Sequence, residues 1–161
     1  MKGKFLNSLL AFAVAITFIG FGGSALAQNK PADNMEIVKE KIRTDKKLLV
    51  ATNMQLTESE ANAFWPVYEA YQVELAKLRD REIKLIDNFA GSYETMSDDV
   101  AKKLLDDSLS IDLDHQKLRQ SYLAKFRGVL SDTKVARYYQ LESKIDAVME
   151  YELARRIPLV Q

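Results

Sequence analysis

Leu56-Thr57-Glu58-Ser59-Glu60-Ala61-Asn62-Ala63-Phe64-Trp65-Pro66-Val67-Tyr68-Glu69-Ala70-Tyr71-Gln72-Val73-Glu74-Leu75-Ala76-Lys77-Leu78 is the stretch that decides the fold. Thr57 stands at a helix N-cap with Glu60 three residues later, so each side chain can satisfy the other's free backbone N–H. From there Phe64, Tyr68, Tyr71, Leu75, Leu78, Leu85 and Phe89 recur at alternating spacings of four and three, with Glu82 as the polar interruption. That period is the seam of a coiled-coil-like helix.

Outward from this helix the pattern repeats. Leu104, Ser108, Ile111, His115, Leu118, Tyr122 and Val129 mark a third helix, and Val135, Tyr138, Ile145, Val148, Met149 and Leu153 a fourth. Gly91 and Gly128 are the only glycines after residue 27, so helices have few places to stop. The expected elements are Asn34 to Ala51, Thr57 to Ala90, Ser97 to Arg127 and Ser131 to Arg156. A helix of 30 residues is about 45 Å long. The expected fold is therefore all-α, an elongated antiparallel hairpin of helices two and three with about four helices in total.

Pro66 falls inside helix two, removes the bond to the Asn62 carbonyl and costs about 3 kcal/mol unless the helix bends. A kink is expected there. It would either expose Trp65, with Tyr68 and Tyr71, as a binding surface, or fold Trp65 into the angle against another helix; the burial preference of large aromatics favours the second.

Residues 1 to 27 carry the signs of an export signal: Lys2 and Lys4, an apolar run from Leu9 to Phe21, and small residues at the cut after Ala27. An uncleaved anchor is the other reading, since Phe5 to Phe21 approaches bilayer length, but Asn7 and Ser8 shorten the run. Cleavage implies a periplasmic protein without stable membrane insertion. The remainder, 28–161, is one helical domain with a short flexible N-terminus to about residue 33. The sequence holds no cysteine, which removes disulfides, thiol catalysis and thiolate metal sites. Without Lys2 and Lys4 there are 21 basic and 23 acidic side chains, a balance that offers no general attraction to nucleic acid.

No phosphate loop, nucleophile elbow or His-Glu-x-x-His helix is present, so no catalytic residue, no metal ligand set and no cofactor is assigned, and the chain is not read as an enzyme. His115 is the only histidine and lies on an apolar seam; with Asp112 it could begin a metal site, but a hydrogen-bonded core or boundary histidine is the simpler reading. Glu142, Asp146 and Glu150 form an i, i+4, i+8 row of the kind that usually faces solvent. Arg79 and Arg81 with Lys77 and Lys84, interleaved with Asp80 and Glu82, read as a solvated face. Ile157, Leu159 and Val160 form an apolar tail that should pack back on the hairpin or on a second subunit.

Leu130-Ser131-Asp132-Thr133-Lys134 repeats the leucine and hydroxyl of Leu56-Thr57-Glu58-Ser59-Glu60. On these two boxes, each opening a long helix, the chain resembles the LTxxQ-motif periplasmic family of Spy-like and CpxP-like proteins and their metal-resistance relatives, over roughly Met54 to Arg156. Glu60 and Lys134 stand where that family has glutamine. Leu56, Thr57, Leu130 and Ser131 match by position and inherit a structural role. The resemblance implies a bent hairpin that dimerises into a cradle and acts as an ATP-independent chaperone, a stress-signalling modulator or a metal-responsive protein. The expected function is thus a chaperone-like or envelope-stress accessory that binds unfolded protein as a homodimer; the alternative is an interaction module for one specific envelope protein.

Overall fold

The computed structural model describes residues 31 to 160, with side-chain surroundings from residue 41 onward. The expected export signal and the expected cut after Ala27 lie outside the described residues. The helices are α1 (Pro31–Met54), α2 (Glu58–Ser92), α3 (Asp98–Arg127) and α4 (Asp132–Ala154), with a short 3-10 turn at Tyr93–Thr95, and no strand occurs among the described residues. The fold is all-α, as the periodicity implies. Where a loose lead up to residue 33 is expected, the first helix already opens at Pro31; proline is well suited to a first helical position because its fixed φ fits and its missing N–H has no intrahelical partner to lose.

Cross-helix contacts give the topology. Phe64 meets Phe126, Tyr71 meets Tyr122 and Arg81 meets Asp114, so α2 and α3 run antiparallel. Lys46 meets Glu142 while Lys134 reaches the Gln55 carbonyl, so α1 runs antiparallel to α4. Glu60, Gln72 and Arg79 of α2 meet Lys134, Glu142 and Asp146 of α4 in the same order, which makes those two parallel. The result is a four-helix up-and-down arrangement whose α2–α3 hairpin is longer than its companions.

The α1–α2 connection is only Gln55 to Thr57. Gln55 takes φ 49°, the left-handed conformation that commonly ends a helix, and is the one described non-glycine residue to do so. Ser97 caps α3 by accepting from the Val100 N–H at 3.3 Å. Helix α2 continues through Pro66; Pro66 and Asn62 are both exposed, so water can serve the carbonyl that proline leaves without a donor.

The core is concentrated at the end where the boxes lie. Val50 and Met54 of α1, Phe64, Tyr68, Tyr71 and Leu75 of α2, Tyr122 and Phe126 of α3, and Leu130, Val135 and Tyr138 leading into α4 form one buried cluster. Phe126 and Tyr138 have ring centroids 4.6 Å apart, Phe64 and Tyr138 5.3 Å, in tilted and edge-on geometries. Such pairs contribute about 0.5–1.5 kcal/mol each beyond their area. Farther along α2, Leu78, Leu85 and Phe89 keep the period but are only half-buried. No helix among the described residues is long and apolar enough to cross a membrane.

Candidate binding groove

Thinning of the core beyond Leu75 leaves a groove between α2, α3 and α4, about 860 Å³ in volume and open to solvent. Helix α2 supplies Tyr71, Arg79, Glu82, Leu85 and Ile86; α3 supplies Ile111, Asp112, Leu113, His115 and Arg119; α4 and the residues after it supply Asp146, Met149, Glu150, Leu153 and Ile157. The apolar floor follows directly from the three seams. Arg79, Asp112, Arg119, Asp146 and Glu150 stand one step off the seams, and Glu82 and His115 on them.

Polar contacts among Arg79, Glu82, His115, Arg119 and Asp146 and their neighbours order this lining. Arg79 donates to the Asp146 carboxylate at 2.6 Å and approaches Glu82 at 3.8 Å. His115 Nε2 lies 2.9 Å from Glu82 Oε1. Burial pushes the Glu82 carboxyl up, but the His115 contact and the charges of Arg79 and His115 outweigh it and hold that carboxyl below its ordinary value. Arg119 donates to Ser143 Oγ at 3.0 Å, lies over the Tyr139 ring at 5.4 Å, and receives the Tyr139 hydroxyl on its own carbonyl at 2.7 Å. Its side chain is therefore held by a hydroxyl and a ring face.

The row Glu142, Asp146, Glu150 is not a solvated face. Glu142 is 2% exposed. Its carboxylate accepts from Lys46 Nζ at 2.6 Å and from the Gln72 amide at 3.3 Å, joining α1, α2 and α4. Asp146 is half-buried against Arg79, and only Glu150 is exposed. Arg79 likewise leaves the expected solvated face of α2, because α4 lies over it. The reason is one of packing: a fourth helix parallel to α2 puts carboxylates where the sequence of α4 alone offers no sign of a partner. Burial, with the charge of Glu142 added to it, pushes the Tyr68, Tyr71 and Tyr138 hydroxyls above the ordinary phenol range. The hydroxyls of Tyr68 and Tyr138 are buried without a hydrogen-bond partner.

The sequence-derived surface of Trp65, Tyr68 and Tyr71 does not stand on one accessible face. Tyr68 and Tyr71 are 1% and 4% exposed, because α3 and α4 cover that stripe. Trp65 is half-buried, edge-on to Phe64 and Tyr68 at 5.0 and 5.3 Å, with the Lys47 ammonium of α1 5.2 Å from its ring. Only Tyr71 reaches the groove.

The boxes sit together at the other end. Thr57 Oγ1 accepts from the Glu60 N–H at 3.3 Å while Glu60 accepts from the Thr57 N–H at 2.8 Å, a complete capping box. Ser131 occupies the N-cap position of α4 but makes no side-chain cap bond. Lys134, which cannot close a box of its own, pairs with Glu60 and donates to the Gln55 carbonyl at 3.3 Å. That pairing, ahead of the Thr57 bonds, lowers the Glu60 carboxyl below its ordinary range. Leu130 is buried and Leu56 packs partly against the same core.

Comparison with family models, curated proteins and solved structures gives no match to this chain. Among the described residues no three His, Asp or Glu side chains converge as a metal-binding group. In the groove, apolar and charged groups of three helices meet at an open surface.

Proposed function

We propose that the protein is an exported, periplasmic helical-hairpin protein of LTxxQ-like type, which holds exposed apolar segments of other proteins without ATP and works as a homodimer without catalytic chemistry. The observation that carries this reading is the groove, whose floor of Leu85, Ile86, Met149, Leu153 and Ile157 is open to solvent while Arg79, Asp146, Glu82 and Arg119 ring it. An apolar floor with a polar rim suits adaptable contact with partly unfolded chains, since burial supplies affinity without demanding one partner geometry. With no nucleotide to drive release, the grip is weak and reversible, and a client leaves as it buries its own apolar surface.

The test is light scattering of an unrelated aggregating protein with and without the protein, in buffer lacking ATP. Suppression at near-stoichiometric amounts is expected. A Met149→Asp/Leu153→Asp variant with unchanged helical circular dichroism should lose that suppression. Equal protection by wild type and variant would remove the groove from the function, and no protection by the wild type would end the chaperone reading altogether.

A further inference from the structure

Helix α3 carries a second apolar surface, on the side away from the core. Ile111, Tyr122 and Phe126 point inward and are buried, whereas Leu105, Leu109 and Leu113 are 60%, 58% and 56% exposed. Their i, i+4, i+8 spacing lines them along about 12 Å of one helix face. A run of three exposed leucines on one stripe is more than the scattered single apolar residues that any surface holds.

The charges around the stripe distinguish among possible occupants. Positions 98 to 114 hold six aspartates and two lysines. Lys102 and Lys103 are spent on Asp106 and Asp107, and Asp114 is met by Arg81 and Lys117. Asp98, Asp99 and Asp112 have no ion-pair partner among the described residues. A second copy is disfavoured: pairing two α3 helices about Leu109 lays the same acidic face, with its Asp112, against itself. A partner with the opposite charge meets no such repulsion.

We propose that this α3 face is a docking surface for a basic amphipathic helix of another protein, which lays a leucine-type stripe on Leu105, Leu109 and Leu113 and sets lysines or arginines against Asp98, Asp99 and Asp112. The mode is helix against helix, read through apolar anchors at i, i+4 and i+8 spacing with charge setting the choice of partner. It goes beyond the holding of unfolded chains, because it uses a different face for most of its contacts and one class of partner; Leu113 and Asp112 also border the groove.

The probe is a fluorescently labelled Leu/Lys amphipathic helical peptide, titrated at low salt into the protein expressed from its full sequence, with a Leu/Glu peptide of the same pattern alongside. The Leu/Lys peptide should bind with an affinity that falls as salt rises, and the Leu/Glu peptide should not bind. Replacing the stripe, L105Q/L109Q/L113Q, should weaken binding on the order of 100-fold with helical content unchanged, since all three side chains are exposed and glutamine is a good helix former. The Met149→Asp/Leu153→Asp variant should bind the peptide as the wild type does, so failure of the groove reading leaves this one standing and the reverse. Absent binding, equal binding by the leucine variant, loss of binding in the groove variant alone, or a wild-type dimer that the leucine variant dissociates in sedimentation would each overturn the proposal.

Discussion

Replacing Glu142 by glutamine should unfold the protein far more readily than any surface change, because it leaves the Lys46 ammonium, in a residue 7% exposed, without its counter-charge. At 2.6 Å and an effective dielectric of 20, the lost attraction is roughly 6 kcal/mol before solvation is counted. Removing one partner of a buried pair costs about 3–5 kcal/mol, and total stability of a domain this size is about 5–15 kcal/mol. Glu142→Gln should therefore sacrifice a large share of the whole. Lys46→Met should cost a similar amount, because the carboxylate then keeps only the Gln72 amide. The double change Lys46→Met/Glu142→Leu removes both charges at once and should recover most of the loss, since apolar replacement of an entire buried pair is often neutral or stabilising. Urea titration followed by circular dichroism on the four proteins measures the coupling. Single changes that each cost under about 1 kcal/mol, or a double change that costs the sum of the two, would refute the claim that these groups act as a buried pair.

Thr57→Ala should destabilise the protein by about 1 kcal/mol, whereas Ser131→Ala should be nearly silent, since of these two only Thr57 makes a side-chain cap bond; paired thermal melts decide it. Phe126→Ala should cost about 3–5 kcal/mol because its ring, fully buried, touches Phe64, Tyr122, Tyr138 and Tyr139, a loss that denaturant titration would register directly. The Glu82 carboxyl is lowered in the folded state, so its contribution is complete above the ordinary glutamate value of 4.5 and disappears as pH falls through the lower folded value; the acid side of the melting profile should be shallower in Glu82→Gln than in the wild type. Pro66→Ala should raise the melting temperature, by up to about 3 kcal/mol in stability, since the ring is exposed and its only evident effect is to withhold a bond from the Asn62 carbonyl; an unchanged or lower midpoint would assign Pro66 a packing role.

The apolar period of Phe64, Tyr68, Tyr71 and Leu75 was enough to reveal α2, and the Thr57–Glu60 spacing its start, because both depend on residues close in the chain. Glu142 shows where such reading ends. Its place at the start of an acidic row looks solvated until α1 brings Lys46 and α2 brings Gln72 against it, and neither approach leaves a local signal. Val148 kept the period of α4 yet is exposed, because that helix meets its neighbours on a narrower stripe than the apolar residues suggest. The groove was illegible for the same reason: its lining comes from three helices, and the point where close packing gives way to an opening depends on the relative lengths of α2, α3 and α4. His115 reads in sequence as a core or boundary histidine and sits at the boundary, but its contact, Glu82, shows there only as an interruption of the α2 seam.

The Lys46 to Glu142 contact spans 96 residues, and chains are made from the N-terminus. Lysine thus exists long before its carboxylate does. Until α4 is complete, the polar contacts described between α1 and α2 are those of Lys47 with Glu69 and Trp65, both near the surface. Pairing of α2 with α3, joined by a short turn, closes a smaller loop and should come first. A nascent chain that stops before Glu142 would carry Val50, Met54 and an uncompensated ammonium with nowhere to lodge them. Arrival of α4 is consequently the event that converts a loose hairpin with a trailing first helix into the native state, and truncation at any point before it should leave α1 accessible to proteases.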